Sequence, residues 1–157
     1  MSAGAQPERL RRDPLETLAR LVRDPPVSVS RELDEALEAL DMEMTRLAGA
    51  LQIEYMGPGV GMADMNAEHV YRLVVRHHVW DTVTAGWGVR ICDALDNNDL
   101  RPMWSLRGVG RLRKRQLLAV LPAFFEGYAA ALEAAGVADT PAGRRVLEMA
   151  RALAVPR

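Results

Sequence analysis

Leu33, Leu37, Leu40, Met44, Leu47 and Leu51 recur at alternating steps of four and three residues, the spacing that aligns one face of an α-helix. Ser30 stands where an N-cap belongs, and Glu32, Asp34, Glu35 and Glu38 crowd the first turns, where the positive end of the helix dipole favours acids. The seam has heptad character and suits either packing within one chain or a contact between copies. With fewer than three full heptads, packing within the chain is the first expectation.

The same reasoning predicts helices elsewhere. Asp13-Pro14-Leu15-Glu16 carries an N-cap acid, a proline at the first helical position and a glutamate at the third, and Leu15, Leu18, Leu21 and Val22 form one stripe before Asp24-Pro25-Pro26 ends it. Met56-Gly57-Pro58-Gly59-Val60-Gly61 reads as a connector. Val70, Leu73, Val74, His77, Trp80, Thr84, Trp87 and Ile91 lie at helical spacing, so a long and broken helix is expected there. From Thr82 to Ile91 the pattern also alternates as a strand would, with Val83, Ala85, Trp87, Val89 and Ile91 on one side. A turn or short helix is expected after Pro102. Next comes a helix whose Leu117, Val120, Leu121, Phe124 and Tyr128 share a face, with a kink at Pro122, a stop at Gly136 and a final helix from Thr140-Pro141. The expected fold is therefore all-α, a compact single-domain bundle of five or six helices. Residues 1–29 would form an N-terminal arm with a short helix, and 30–157 the helical domain.

Composition narrows the setting. A chain of 157 residues that is 49% hydrophobic can bury one sizeable core without disulfides. The single cysteine, Cys92, cannot form an internal bridge, and no charged-then-apolar leader opens the chain, so a cytoplasmic, reducing compartment is expected. No uninterrupted apolar run approaches the roughly 20 residues of a bilayer span, so no membrane partner is expected. Arginine supplies 19 of the 20 basic residues, a bias of coding composition more than of function.

Charge changes the picture further, because the net value of −1 hides a segregation. From Arg31 to Asp99 there are thirteen acids against five arginines, whereas Leu100 to Phe125 holds Arg101, Arg107, Arg111, Arg113, Lys114 and Arg115 and no acid. Such a block can be a solvated face, an internal partner for the acidic segment, or a surface for an anionic ligand.

Other chemistry finds little support. His77 and Asp81 are one helical turn apart, but no second ligand pair accompanies them, and His77 on the apolar stripe suits a hydrogen-bonded core residue better than a metal ligand. No nucleophile motif accompanies Cys92, and the glycines of 57–61 lack the Gly-Lys-Ser/Thr ending of a P-loop. Neither a catalytic residue nor a cofactor or metal is expected.

The segment Leu106-Arg107-Gly108-Val109-Gly110-Arg111-Leu112-Arg113-Lys114-Arg115-Gln116-Leu117-Leu118 resembles the helix-hairpin-helix DNA-binding motif of repair helicases. The resemblance implies that Gly108, Val109 and Gly110 form a hairpin holding a phosphate by backbone N–H groups. It makes Leu106 and Leu117 packing residues, and Arg111 and Arg113 phosphate contacts. Independently, the helix start after Gly110 offers free N–H donors, while each exposed cation there costs roughly 0.3–1 kcal/mol against the dipole, a cost that a bound anion would offset. The expected function is sequence-independent binding of the DNA backbone through Arg107, Gly108, Val109, Gly110, Arg111, Arg113, Lys114 and Arg115. The alternative is a protein-interaction or assembly subunit, with a homo-oligomer among the arrangements it allows, whose basic segment meets an acidic protein surface.

Overall fold

The computed structural model of the chain describes residues 13–28, 30–61, 70–79, 85–94 and 100–155. Among these, four helices and one antiparallel sheet form in the order α1 (Pro14–Arg23), α2 (Arg31–Leu51), β1 (Tyr55–Gly59), β2 (Tyr71–Val79), β3 (Ala85–Asp93), β4 (Arg101–Trp104), α3 (Arg111–Ala134) and α4 (Pro141–Leu153). The expectation of an all-α bundle of five or six helices is overturned: the fold is α+β.

The helix termini follow their capping residues. Asp13 Oδ1 accepts from the Leu15 N–H at 3.1 Å, Ser30 Oγ from Leu33 at 3.2 Å and Thr140 Oγ1 from Gly143 at 3.1 Å. At the end of α3, Gly136 takes φ +74°, so that its own N–H reaches the Glu133 carbonyl and that of Val137 the Leu132 carbonyl, closing the last turn. The six seam residues of α2 are all buried in the chain's own core. Each such side chain contributes roughly 1.5–3 kcal/mol.

The sheet is a meander in the order β1-β2-β3-β4, every neighbour antiparallel. In β2 and β3 the pairs Leu73–Ile91 and Val75–Val89 lie on the face that joins the helices in the core. On the other face alternate Arg72, Val74, Arg76 and His78, with Arg90 and Cys92 across from them. The expected helix over 70–91 is thus corrected to two strands as far as it is described, and the alternation noted from Ala85 to Ile91 is the pattern that prevails. β-branched Val74, Val75, Val79, Val89 and Ile91 suit a pleated surface, and Gly86 and Gly88 weaken any helix there. Trp80, Asp81 and residues 82–84 lie outside the described residues.

The presumed connector at 56–61 is corrected too, since residues 55–59 form β1, and the turn or short helix after Pro102 is strand β4. Both carry a proline, Pro58 and Pro102, and both are edge strands. A proline lacks the N–H that an interior strand must donate, and only an edge tolerates that loss.

Among the described residues β4 pairs with β3 only at residues 91–93, and α2 runs beside the remainder of β3 in the opposite sense. Asp41, Thr45 and Gly49, successive turns of one helical stripe, meet Arg90, Gly88 and Trp87. Helix α3 crosses β1 closely: a Cβ on Gly57 would stand 2.8 Å from the Leu73 carbonyl and 2.9 Å from the Phe124 ring. Only glycine fits there.

Candidate functional site

The basic block begins on β4 and ends in the first turns of α3, so it occupies a strand–turn–helix junction. Gly108 closes the turn by donating its N–H to the Ser105 carbonyl at 3.2 Å and to Ser105 Oγ at 3.1 Å. Leu106 and Val109 point into the core, as does Leu117 on the helix, while Gly108 and Gly110 are exposed. Gly110 is the N-cap of α3 and has no side chain with which to cap it. The segment that precedes the Gly-Val-Gly turn is therefore extended, and the first N–H groups of α3 receive no side-chain acceptor.

Beyond Arg101, which lies on β4, the cations of the block divide into two groups. Lys114 is largely buried and its Nζ lies 2.6 Å from Asp34 Oδ1 in α2. Arg107 reaches the same helix, with Nη1 3.5 Å from Glu38 Oε1 and Nε 3.8 Å from Asp41 Oδ2. Arg113 donates to the Val60 carbonyl at 3.4 Å and stacks its guanidinium over Tyr71 and Trp104, 4.5 and 5.2 Å from the ring centroids. That contact fastens the helix start to β2 and β4. Arg111 and Arg115 project into solvent and make no ion pair or side-chain hydrogen bond with the described residues. Leu112, between them, is 70% exposed, and Met103 is also exposed. A shallow depression of about 320 Å³ lies at this helix start, lined by Trp104, Gly110, Arg111, Leu112 and Arg113.

Asp41 anchors the junction from beneath. It is 6% exposed and also receives a hydrogen bond from Arg90 Nη1 of β3 at 3.2 Å, so one carboxylate joins the sheet to the turn. Burial pushes its carboxyl above the usual range, opposed by the charges of Arg90 and Arg107. Burial likewise lowers the Arg90 pKa, against the pull of Asp41. Sequence reasoning did not single out Asp41. Its spacing was the available signal, since four residues from Leu37 and three from Met44 place it on the buried stripe.

The histidines are corrected as well. His77, expected in the core, is exposed and makes an edge contact with Trp87, whereas His78 is buried with Nε2 3.1 Å from the Val74 carbonyl. Strand alternation turns adjacent residues to opposite faces, and the helical reading chose the wrong one. Burial lowers the His78 pKa to about 4. Burial raises the Cys92 thiol to about 11, which leaves it protonated and a poor nucleophile at neutral pH. His69 and Asp81 lie outside the described residues. Among those described, no three His, Cys, Asp or Glu side chains converge as a metal site would require.

Comparison with protein-family models, with curated proteins and with solved structures returns no match for this chain.

Proposed function

We propose that this chain is a protein-interaction module that engages its partner through the outer face of the start of α3. The observation that carries the reading is the disposition of the basic block: Lys114 and Arg107 are matched to Asp34, Glu38 and Asp41 of the chain's own α2. Arg111 and Arg115 are unmatched among the described residues, with the exposed Leu112 between them. A cationic rim around an exposed aliphatic side chain suits a protein surface carrying carboxylates and an apolar patch.

Nucleic-acid backbone binding is the second reading, and the uncapped helix start and the solvent-facing Arg111 and Arg115 favour it. Arg111 and Arg115, unpaired among the described residues, neutralise about two phosphates, which gives a log–log salt slope of about −2 and weak affinity at physiological salt.

A photo-crosslinking amino acid placed at position 112 in the native cells tests the choice. The protein-interaction reading expects an adduct with protein. An adduct with nucleic acid, sensitive to nuclease, contradicts it.

A further inference from the structure

Helix α3 carries its charges the wrong way round for its own dipole. It opens on Arg111 and Arg115 with no acid in the first turn, and it closes on Glu133 with no base in the last. Acids belong at the positive N-terminus and bases at the negative C-terminus, so each of these exposed side chains is set against the helix that bears it. Neither Arg111, Arg115 nor Glu133 has an ion-pair partner among the described residues.

The face between these ends is bare. The most apolar 18-residue stretch of α3 is long and apolar enough for a membrane span by composition, yet fewer than half of its residues are buried within the chain. Ala119, Ala123 and Ala130 are exposed along it. Beside its C-terminal half a groove of about 700 Å³ runs between α3 and α4, walled by Ala130 and Glu133 on one side and Leu147, Ala150 and Arg151 on the other. Leu112 is the one large apolar side chain of α3 that stands exposed.

We infer that this face is occupied by α3 of a second copy of the chain, packed antiparallel in a two-fold symmetric dimer. The inference rests on the protein-interaction reading above and names its partner. Arg111 and Glu133 are equidistant in sequence from Pro122, so a two-fold axis near Pro122 sets Arg111 of each chain against Glu133 of the other and brings Arg115 towards Glu126. The two charged ends lie about 33 Å apart along the helix. Each Leu112 then enters the groove of the other chain, and the small alanines at the centre let the two backbones approach. The same arrangement sets each helix's arginines at the other's negative end and each Glu133 at the other's positive end. Two unfavourable dipole contacts within a chain become favourable ones between chains. An isologous interface requires such self-complementarity, a surface that matches itself after rotation.

Charge reversal at the matched pair tests this on the full chain by sedimentation velocity at micromolar concentration. R111E and E133R each place a charge that suits the dipole of its own helix, so both variants should keep or raise the melting temperature. Each should nevertheless weaken self-association at least about tenfold, because like charges then face each other twice across the axis. An equimolar mixture of R111E and E133R restores both pairs and should form heterodimers, and L112E should be monomeric. A monomeric wild-type chain, a dimer indifferent to both reversals, no rescue on mixing, or binding to phosphatidylcholine vesicles in place of self-association would each overturn the dimer. If position 112 crosslinks to a different protein while the chain sediments as a monomer, the dimer fails and the protein-interaction reading stands. A nucleic-acid adduct sinks both.

Discussion

The Nζ of Lys114, the only lysine in the chain, lies 2.6 Å from Oδ1 of Asp34, eighty residues earlier in the sequence. The contact ties the first turn of α3 to the first turn of α2 and withdraws one cation from the surface. Asp34 is about half exposed, so the pair contributes modestly and is screened by salt. A double-mutant cycle with Lys114→Ala and Asp34→Ala, followed by urea unfolding, should give a coupling of about 0.5–1 kcal/mol that shrinks in high salt. A coupling of zero at low salt would leave Lys114 available to a ligand.

Asp41 should prove far more costly to remove. Its carboxylate faces Arg90, whose side chain is 14% exposed, and Arg107 completes the junction. Asp41→Ala deprives a largely buried guanidinium of that charge and should destabilise the chain by about 3–5 kcal/mol in denaturant unfolding. A loss below about 1 kcal/mol would mean that the sheet and the basic turn are held together by other contacts.

Close packing of α3 on β1 is equally open to test. A Cβ on Gly127 would fall on the Tyr55 hydroxyl, and the Tyr55 ring stacks on Tyr128 with centroids 5.6 Å apart and planes 13° from parallel. Gly127→Ala should therefore lower stability by more than about 1 kcal/mol, although alanine favours a helix by about that amount. The Tyr128 hydroxyl is buried without a hydrogen-bond partner among the described residues, and Tyr128→Phe should leave the melting temperature unchanged or raise it.

His78 should make stability depend on pH. Its folded pKa of about 4 lies below the ordinary 6.5, so the unfolded chain binds the proton more readily between those values. The stability this neutral ring confers is complete above about pH 6.5 and is lost as pH falls towards 4, on the order of 3 kcal/mol in all. Asp41, with its raised pKa, acts in the opposite sense through the carboxylate range. His78→Gln removes the first effect alone, and its urea midpoint should vary less than that of the wild-type chain between pH 7 and about 5. Equal slopes for the two proteins would contradict the burial of a neutral His78.

Much of the helical half of the fold was legible. Asp13, Ser30 and Thr140 announced three helix starts because capping is local chemistry, and the α2 seam announced a buried face by its period. The sheet was hidden for physical reasons. In β2, Leu73, Val74 and Val75 are all buried, so the strand loses the alternation that betrays a sheet with one wet face, and its spacing then mimics a helix. Pro58 and Pro102 argued against strands until the edge positions of β1 and β4 were known. At the junction, local sequence located the basic block and the start of α3 after Gly110 but could not apportion the block's charges. An internal acidic partner was one of three readings of that block, and only the packing of α2 against the turn reveals that it applies to Lys114 and Arg107 and leaves Arg111 and Arg115 outside.

A titration of fluorescent mixed-sequence duplex DNA with the purified chain reads out that division of the charges. At about 50 mM salt, where electrostatic affinity is strengthened, the expected result is either no change in anisotropy or weak binding with a log–log salt slope no steeper than about −2, abolished by R111E. A slope of about −3 to −5, with Lys114→Ala or Arg107→Ala flattening it by about one unit each, would show that these cations leave Asp34, Glu38 and Asp41 for phosphates and would contradict it.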